Sequence, residues 1–305
     1  VLSVVLTVYN EAENLTELYD RISRVMSDLD QDYEIIFVDD GSVDKSPEIL
    51  EGFCQKNPKV KTINLSRNFG QHAAVAAGFT HCQGDWVIWM DADLQDLPEE
   101  IPKLLREAEK GHDIVYGIRE NRADPLLKRL TASIFFWLFR RISGHSLPKG
   151  LSTFRVLSRR VIEAFNELPE RSRFTAGLIA WLGFSYSCVP IRHAPRTRGQ
   201  SKYDHLKLFR LSLDALISFS DYPLKLSSKV GVFLAFLSLL MALYTMYRKL
   251  IYGFDITGYA TLVTSLFFLC GLQLFFLGVV GEYISRIFLN AQGRPIYIVK
   301  KMTNF

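Results

Sequence analysis

Short apolar runs alternate with stretches of helical periodicity over the first third of the chain. Residues 2–8 (Leu-Ser-Val-Val-Leu-Thr-Val) are β-branched and apolar, which predicts a buried strand. Apolar residues then recur at Leu15, Leu18, Ile22, Val25, Met26 and Leu29. That is the spacing of one helix face, and it predicts a helix over 11–29. The alternation continues with strands over 33–38, 59–65, 86–90 and 113–116. Helices are predicted between them over 44–55, 71–82 and 97–110. Asp44 is placed to cap the first of these, and Pro98 falls in the first turn of the last, where a missing N–H costs little. The strands are continuously rather than alternately apolar, the pattern of a mostly parallel sheet with helices on both faces. The expected fold is therefore α/β and Rossmann-like.

The pattern changes after residue 120. Residues 125–142 predict an apolar helix with basic ends, dense in aromatics (Phe135, Phe136, Trp137, Phe139), which suits a membrane surface or an ordinary core equally. A short strand over 154–157, a helix over 159–168, a strand over 184–191 and a basic loop follow. Residues 202–219 predict an amphipathic helix with Leu206, Phe209, Leu213, Leu216 and Ile217 on one side. Then 230–247 and 256–281 contain no charged residue at all. About 20 helical residues cover the ~30 Å hydrocarbon core, so each run can cross a membrane. The connector is too short for a domain, and the pair predicts a hairpin (about 230–249 and 257–282) with both ends on one side.

Lys225 and Lys229 precede this hairpin, and Arg286, Arg294, Lys300 and Lys301 follow it. The positive-inside tendency puts these ends, both termini and the large domain in the cytoplasm. Arg248 and Lys249 in the connector are fewer and can snorkel. The expected organisation is a cytoplasmic domain over 1–200, an amphipathic juxtamembrane segment over 201–228, a transmembrane hairpin over 229–284 and a basic tail over 285–305.

The net charge of +4 is mild, but six Arg/Lys crowd 119–141 and six more crowd 192–210. Next to membrane segments, such stretches suit anionic lipid or phosphate. No interleaved aromatic–basic pattern points to nucleic acid. The four cysteines lack CxxC spacing, which argues against a zinc site and fits a reducing compartment. No G-x-G-x-x-G follows the first strand and no G-x-x-x-x-G-K-[ST] is present, which argues against hydride transfer and a P-loop.

The candidate chemistry is acidic. Trp86-Val-Ile-Trp-Met90 runs into Asp91-Ala-Asp93, at the carboxyl end of a predicted strand. Open α/β sheets place ligands there. Two carboxylates so close repel one another and call for a cation. Mg2+ or Mn2+ held by one or two carboxylates plus substrate phosphates is the simplest answer. Asp-x-Asp alone also fits a plain acidic junction, and Asp40-Gly-Ser42 alone also fits a plain turn. Glu11 after the first strand and Asp39/Asp40 after the second point to the same edge, and that convergence favours a metal–nucleotide site. A carboxylate after the second strand can bond a base or ribose.

Several motifs, in order, resemble one family: Val8-Tyr-Asn-Glu11, Val38-Asp-Asp-Gly-Ser42, Asn64-Leu-Ser-Arg-Asn-Phe-Gly-Gln-His72, Met90-Asp-Ala-Asp-Leu-Gln95, Arg196-Thr-Arg-Gly-Gln-Ser-Lys-Tyr203 and Gly281-Glu-Tyr-Ile284. These resemble the polyprenyl-phosphate glycosyltransferases of family 2 with the GT-A fold, a group that includes dolichyl-phosphate mannose synthases, bactoprenol glucosyltransferases and undecaprenyl-phosphate formamido-arabinose transferases, and Asn68-Phe-Gly-Gln-His-Ala-Ala74 looks closest to the last of these. The resemblance covers the whole chain, hairpin included. It implies inverting transfer of one sugar from a nucleotide-sugar, a UDP-sugar first among them, to a polyprenyl phosphate (undecaprenyl or dolichyl). The reaction would lie at the cytoplasmic face of a bacterial inner membrane, in a homo-oligomer.

Carried over residue by residue, the resemblance implies that Tyr9, Glu11 and Asp40 hold base and ribose. Asp91 and Asp93 face the diphosphate, with Asp93 the closer to the metal. Gln95 and Thr153 lie by the donor sugar. Arg119, Lys128, Arg129, Ser133, Ser201 and Lys202 meet the acceptor phosphate, and Arg198 grips phosphate from a third side. One position departs. Many members carry Asp before the Phe-Arg of the middle motif, whereas Leu151-Ser-Thr-Phe-Arg155 has Thr153 there. A phosphate monoester, with a second pKa of about 6, is already an oxyanion and needs no base. Two alternatives stay open. A processive polysaccharide synthase shares the sheet and the Asp-x-Asp but has more membrane helices and a Gln-x-x-Arg-Trp motif. An inactive, membrane-anchored nucleotide-sugar-binding relative is suggested by Thr153.

Overall fold

Each apolar run of the first 119 residues forms a strand of one sheet. The computed structural model describes residues 1–119, 150–168, 175–192, 194, 222–252 and 258–305. The strands are β1 (Leu2–Val8), β2 (Tyr33–Asp39), β3 (Val60–Leu65), β4 (Trp86–Asp91), β5 (Ile114–Arg119), β6 (Leu151–Ser158), β7 (Tyr186–Ile191) and β8 (Val299–Thr303). Their order is β7-β5-β6-β4-β1-β2-β3-β8. Neighbours pair in parallel except at β6 and β8, which run against β4/β5 and β3 respectively. The carboxyl ends of β1, β2, β4 and β5 therefore share one edge, and the amino end of β6 joins them there.

Helices α1 (Ala12–Ser27), α2 (Ser46–Lys56), α3 (Gln71–His81) and α4 (Ile101–Ala108) connect the first five strands, and α5 (Arg159–Asn166) and α6 (Thr175–Trp181) follow β6. Val4, Leu6, Phe37, Ile88 and Met90 are buried in one cluster with Leu15, Leu18, Ile22, Leu50 and Leu104. Burying each such side chain contributes roughly 1.5–3 kcal/mol. The opposite face is covered by α3, in which the whole run from Ala73 to Phe79 is buried. Gly78 permits that approach, because a Cβ there would stand 2.4 Å from Val5 Cγ1 and 3.2 Å from Val38 Cγ2.

Three local expectations are corrected. The helix over 97–110 begins as a 3-10 turn, Pro98–Glu100, and only then becomes α4. Pro102 has no N–H to return to Pro98, so the first turn closes instead through the Ile101 N–H to the Pro98 carbonyl. Asp44 does not cap α2. The N-cap is Lys45, and Asp44 accepts from the Ser46 and Ala12 amides, tying the starts of α2 and α1 together. Residues 299–303 of the expected basic tail form β8 on β3. There Asn304 Nδ2 donates to the Cys54 and Val60 carbonyls, and Lys301 pairs with Glu51 at 2.5 Å. The helices expected over 125–142 and 202–219 lie outside the described residues.

The chain divides into two units, Val1–Arg210 with Pro295–Phe305, and Leu211–Arg294. The second holds α7 (Tyr222–Tyr252) and α8 (Tyr259–Ala291). Both are long and apolar enough to cross a membrane, over Leu224–Tyr247 (mean hydropathy 2.0) and Thr264–Ala291 (1.9). Phe233, Phe236, Phe267, Phe268 and Phe275 are exposed along them. Helices apolar on every side belong in lipid when no protein covers them.

The amino edge of the sheet carries one buried ion pair. Glu34, only 5% exposed, accepts from Ser3 Oγ (2.5 Å), the Gln83 amide (2.6 Å) and Lys61 Nζ (2.7 Å). Burial alone would raise its pKa, but these three partners together outweigh it and leave the pKa lowered. A lowered carboxylate pKa contributes stability above the unfolded value of 4.5 and loses it as pH falls through the folded value. Glu34→Gln is expected to lower the unfolding free energy by about 1–3 kcal/mol at pH 7, since it strands Lys61. Melting of the detergent-solubilised protein checks this, and the deficit should shrink as the pH is brought below 4.5.

Candidate active site

The loops after β1 and β2 interlock at the carboxyl edge. Asn10, with φ +55°, donates its backbone amide to Ser42 Oγ (2.9 Å), and its side-chain Oδ1 accepts from the Val43 amide (2.9 Å). The Glu11 amide donates to Ser46 Oγ, and Glu11 Oε2 accepts from Asn14 Nδ2 at 2.7 Å. Asp39 and Asp40 are both buried. Asp39 accepts from the Ser42 amide, while Asp40 accepts from the Phe69 and Gly70 amides at 2.7 and 2.9 Å. Burial raises both pKa values despite those bonds. Asp40 thus also serves as a strut for the β3–α3 loop. Gly41 belongs to the same contact: its φ is +67°, and a Cβ there would lie 2.4 Å from the Arg67 carbonyl carbon. Only glycine fits.

Asp91 ends β4, and a tight turn carries Asp93 and Asp96. Leu94 holds φ +59° at this turn, an uncommon conformation for a bulky residue, and its side chain is buried. Asp93 Oδ1 accepts from the Gln95 amide (3.2 Å), and Asp96, 2% exposed, accepts from Ser152 Oγ (2.7 Å). Asp91 Oδ1 accepts from Gln71 Nε2 at 2.6 Å. Desolvation first, then the charges of Asp93 and Asp96, push Asp91 up to about 7, while Thr153 and Gln71 pull the other way by hydrogen bonding.

Tyr9, Glu11, Asp40, Asp91, Asp93, Gln95 and Thr153 thus occupy the carboxyl edge, on loops or strand ends that border it. Arg119 ends β5, with its Nε buried and without a hydrogen-bond partner among the described residues. Lys128, Arg129, Ser133, Arg198, Ser201 and Lys202 lie outside the described residues.

Four residues that lie in the quoted motifs but carry no role assigned from sequence also belong here. Gln71 and His72 open α3 at this edge, and His72 Nδ1 lies 3.0 Å from Thr175 Oγ1. Burial, then the Arg155 charge, holds His72 down at about 4, so its ring is neutral near pH 7. Arg155 is 3% exposed and lies over Trp89 (4.4 Å), donating to the Thr153 and Ser152 carbonyls at 3.0 Å each. Ser152 completes the set through Asp96. Helix spacing marked Gln71 as a first-turn residue, but no linear pattern pairs it with Asp91.

Because the Asp91 pKa is raised, its ionisation opposes folding: the native state keeps a proton that the unfolded chain gives up near 3.8. Stability from this group falls as pH rises from about 4 to about 7. Asp91→Asn should therefore melt higher than the parent at pH 8 without added nucleotide or metal, with the gap closing toward pH 5. Gly41→Ala should melt lower at both, by a cost of about 1–2 kcal/mol or more from the left-handed backbone and the Arg67 clash. Differential scanning fluorimetry across pH checks both.

Comparison with known proteins accounts for both units. Residues 3–165 match the family described as Glycosyl transferase family 2, and residues 222–287 match the GtrB C-terminal hairpin. An uncharacterized glycosyltransferase of Synechocystis is 40% identical over 99% of this chain and 95% of its own length. The prophage-derived bactoprenol glucosyl transferase of Shigella flexneri is 37% identical over 98% of this chain and 97% of its own. Among solved structures, mannosyl-3-phosphoglycerate synthase from Rubrobacter xylanophilus shares the fold, with TM-score 0.53, 19% identity and 75% of each chain covered. The resemblance carried by the short motifs is borne out over the full length, the sheet is of GT-A type, and the two apolar helices fall in the stretch that matches the GtrB C-terminal hairpin and are apolar enough to cross a membrane. The chain belongs to glycosyl transferase family 2.

Proposed function

We propose that this glycosyltransferase moves one sugar from a nucleotide-sugar, a UDP-sugar, to polyprenyl phosphate, with inversion at the anomeric carbon. The observation that carries the reading is the full-length likeness, hairpin included, to proteins named bactoprenol glucosyl transferases. A lipid acceptor also explains why a sheet with a nucleotide-type edge is joined to two helices apolar on all sides. Basic residues flank the hairpin on its two outer ends, which supports a cytoplasmic sheet domain in a bacterial inner membrane. A two-crossing hairpin returns the chain to the side it left, as β8 in the same sheet requires.

In this reading Tyr9, Glu11 and Asp40 hold base and ribose, and Gln95 and Thr153 border the donor sugar. Arg119, Lys128, Arg129, Ser133, Ser201 and Lys202 gather around the acceptor phosphate, with Arg198 on the third side. The acid cluster fits a divalent cation, since Asp93 and Asp96 oppose the ionisation of Asp91. Among the described residues no three protein ligands converge, so Asp93 and Asp91 would hold Mg2+ or Mn2+ with phosphates completing the shell. That ion supplies positive charge to the leaving diphosphate.

The acceptor oxyanion forms its bond to the anomeric carbon as the bond to the diphosphate breaks, and the electron pair leaves with UDP. No proton has to be removed from the acceptor. The chain's task is to bring two anions together, which basic side chains do by charge and position.

Asp93→Ala is expected to cut transfer by at least 100-fold while the protein stays folded and in the membrane fraction. Transfer of labelled sugar from UDP-glucose to short-chain polyprenyl phosphate, read by lipid mass, checks this. Near-parental turnover would remove Asp93 from the site.

A further inference from the structure

Asp91 has no basic side chain within ion-pair distance among the described residues. It is oriented instead by neutral donors. Gln71 Nε2 reaches it at 2.6 Å from the first residue of α3. That residue is itself held in place, because the Phe69 and Gly70 amides just before it are bound by Asp40. The other neighbour follows from register. β4 and β6 pair Trp86 with Ser158, Val87 with Leu157, Ile88 with Val156 and Trp89 with Arg155. Carried two residues further, the same antiparallel register sets Thr153 beside Asp91.

The strand end that bears Thr153 is fixed by a buried guanidinium. Arg155 Nε donates to the Thr153 carbonyl and Nη2 to the Ser152 carbonyl, while the group stacks over Trp89. Ser152 turns its own hydroxyl to Asp96. Two successive hydroxyl residues of β6 are therefore presented to two carboxylates of the Asp91–Asp96 turn.

We propose that Thr153 and Gln71 are positioning residues that clamp the Asp91 carboxylate, so that Thr153 acts in this chain as a donor to the first acid rather than as an acid of its own. A carboxylate at 153 would stand against Asp91, where Asp93 and Asp96 already repel it. A hydroxyl at the same place removes that repulsion and supplies a hydrogen bond. Neutral donors fix the direction of a carboxylate without cancelling its charge, so the charge stays available to a cation. Groups that orient a metal-binding carboxylate from behind typically change metal affinity 10- to 100-fold when removed.

The proposal rests on the nucleotide-sugar reading, and the test separates the two. Full-length protein in detergent is titrated with Mn2+ in the presence of UDP, with free Mn2+ followed by EPR and with neither sugar nor lipid present. Thr153→Val keeps the shape of the side chain and loses the hydroxyl; Thr153→Ser keeps the hydroxyl. Thr153→Val is expected to weaken Mn2+ binding about 10-fold, and Thr153→Ser to stay within about twofold of the parent. Gln71→Leu, on a different element, should show a similar loss, and the double variant should lose less than the product of the two because both act on one carboxylate. In transfer assays Thr153→Val should lower kcat and leave the KM for short-chain polyprenyl phosphate unchanged.

Parental Mn2+ affinity in Thr153→Val, an equal loss in Thr153→Ser, or strict additivity of the two sites would overturn the clamp, as would a parent that binds no Mn2+ with UDP. A parent that binds Mn2+ and UDP with the predicted variant pattern, yet transfers no sugar to polyprenyl phosphate, would uphold the clamp and sink the transfer reading.

Discussion

Five aspartates, Asp39, Asp40, Asp91, Asp93 and Asp96, crowd one edge of the sheet, and the fold has to keep them there without neutralising them. At Asp39, Asp40 and Asp91 burial first, then a neighbouring acid, favours the protonated form. The bonds that oppose this at those three come largely from neutral groups: backbone amides at Asp39 and Asp40, an amide side chain at Asp91. Such donors favour the ionised form and set its direction, yet leave its negative charge in place. Arg155 is the buried cation whose charge reaches Asp91 and Asp96, and its own donors go to main-chain carbonyls and an aromatic face. The arrangement suits an edge whose countercharge arrives with the ligand.

The opposite edge of the same sheet shows the contrast. Glu34 is as buried as Asp40, but there a lysine joins its neutral donors. The result is a lowered pKa at Glu34 and a raised one at Asp91. One carboxylate is paired for stability. The other is held in a state that costs stability near neutral pH, a common trade at sites that bind charge. The strained backbone at Leu94 and the glycine-only position at Gly41 fall at the costly edge.

Local pattern made much of this readable. Continuous apolar runs marked the strands of the first 119 residues, and strand direction placed Glu11, Asp40 and Asp91 on one edge before any coordinates. Cross-strand facts were not readable. Thr153 falls opposite Asp91 when the antiparallel register of β6 on β4 is carried two residues past Trp89 and Arg155, and the sequence pattern marked only 154–157 of that strand. β8 is a five-residue run, Val-Lys-Lys-Met-Thr, whose lysines read as a solvated tail. It becomes a strand because β3 offers an unpaired edge and because Asn304 and Lys301 anchor it from the side. Periodicity records which face of an element is apolar. It carries no information on which distant element supplies the partner, and Gln71 was missed for the same reason.

The threonine at 153 is the residue on which both lines of reasoning meet. An acid at that place would be required if the acceptor were a hydroxyl, because a proton would have to leave it. A phosphate monoester arrives already ionised, so no proton transfer is asked of this position, and a neutral hydroxyl there adds no repulsion against the acceptor or Asp91. Replacing an acid by a hydroxyl removes one negative charge and supplies a donor in its place. The hydroxyl relieves the crowding at the first acid of the pair, and Arg155 beneath it keeps the strand end from moving as that charge is met by a ligand. A site built for an anionic acceptor can in this way dispense with a base and use the freed position to aim a carboxylate.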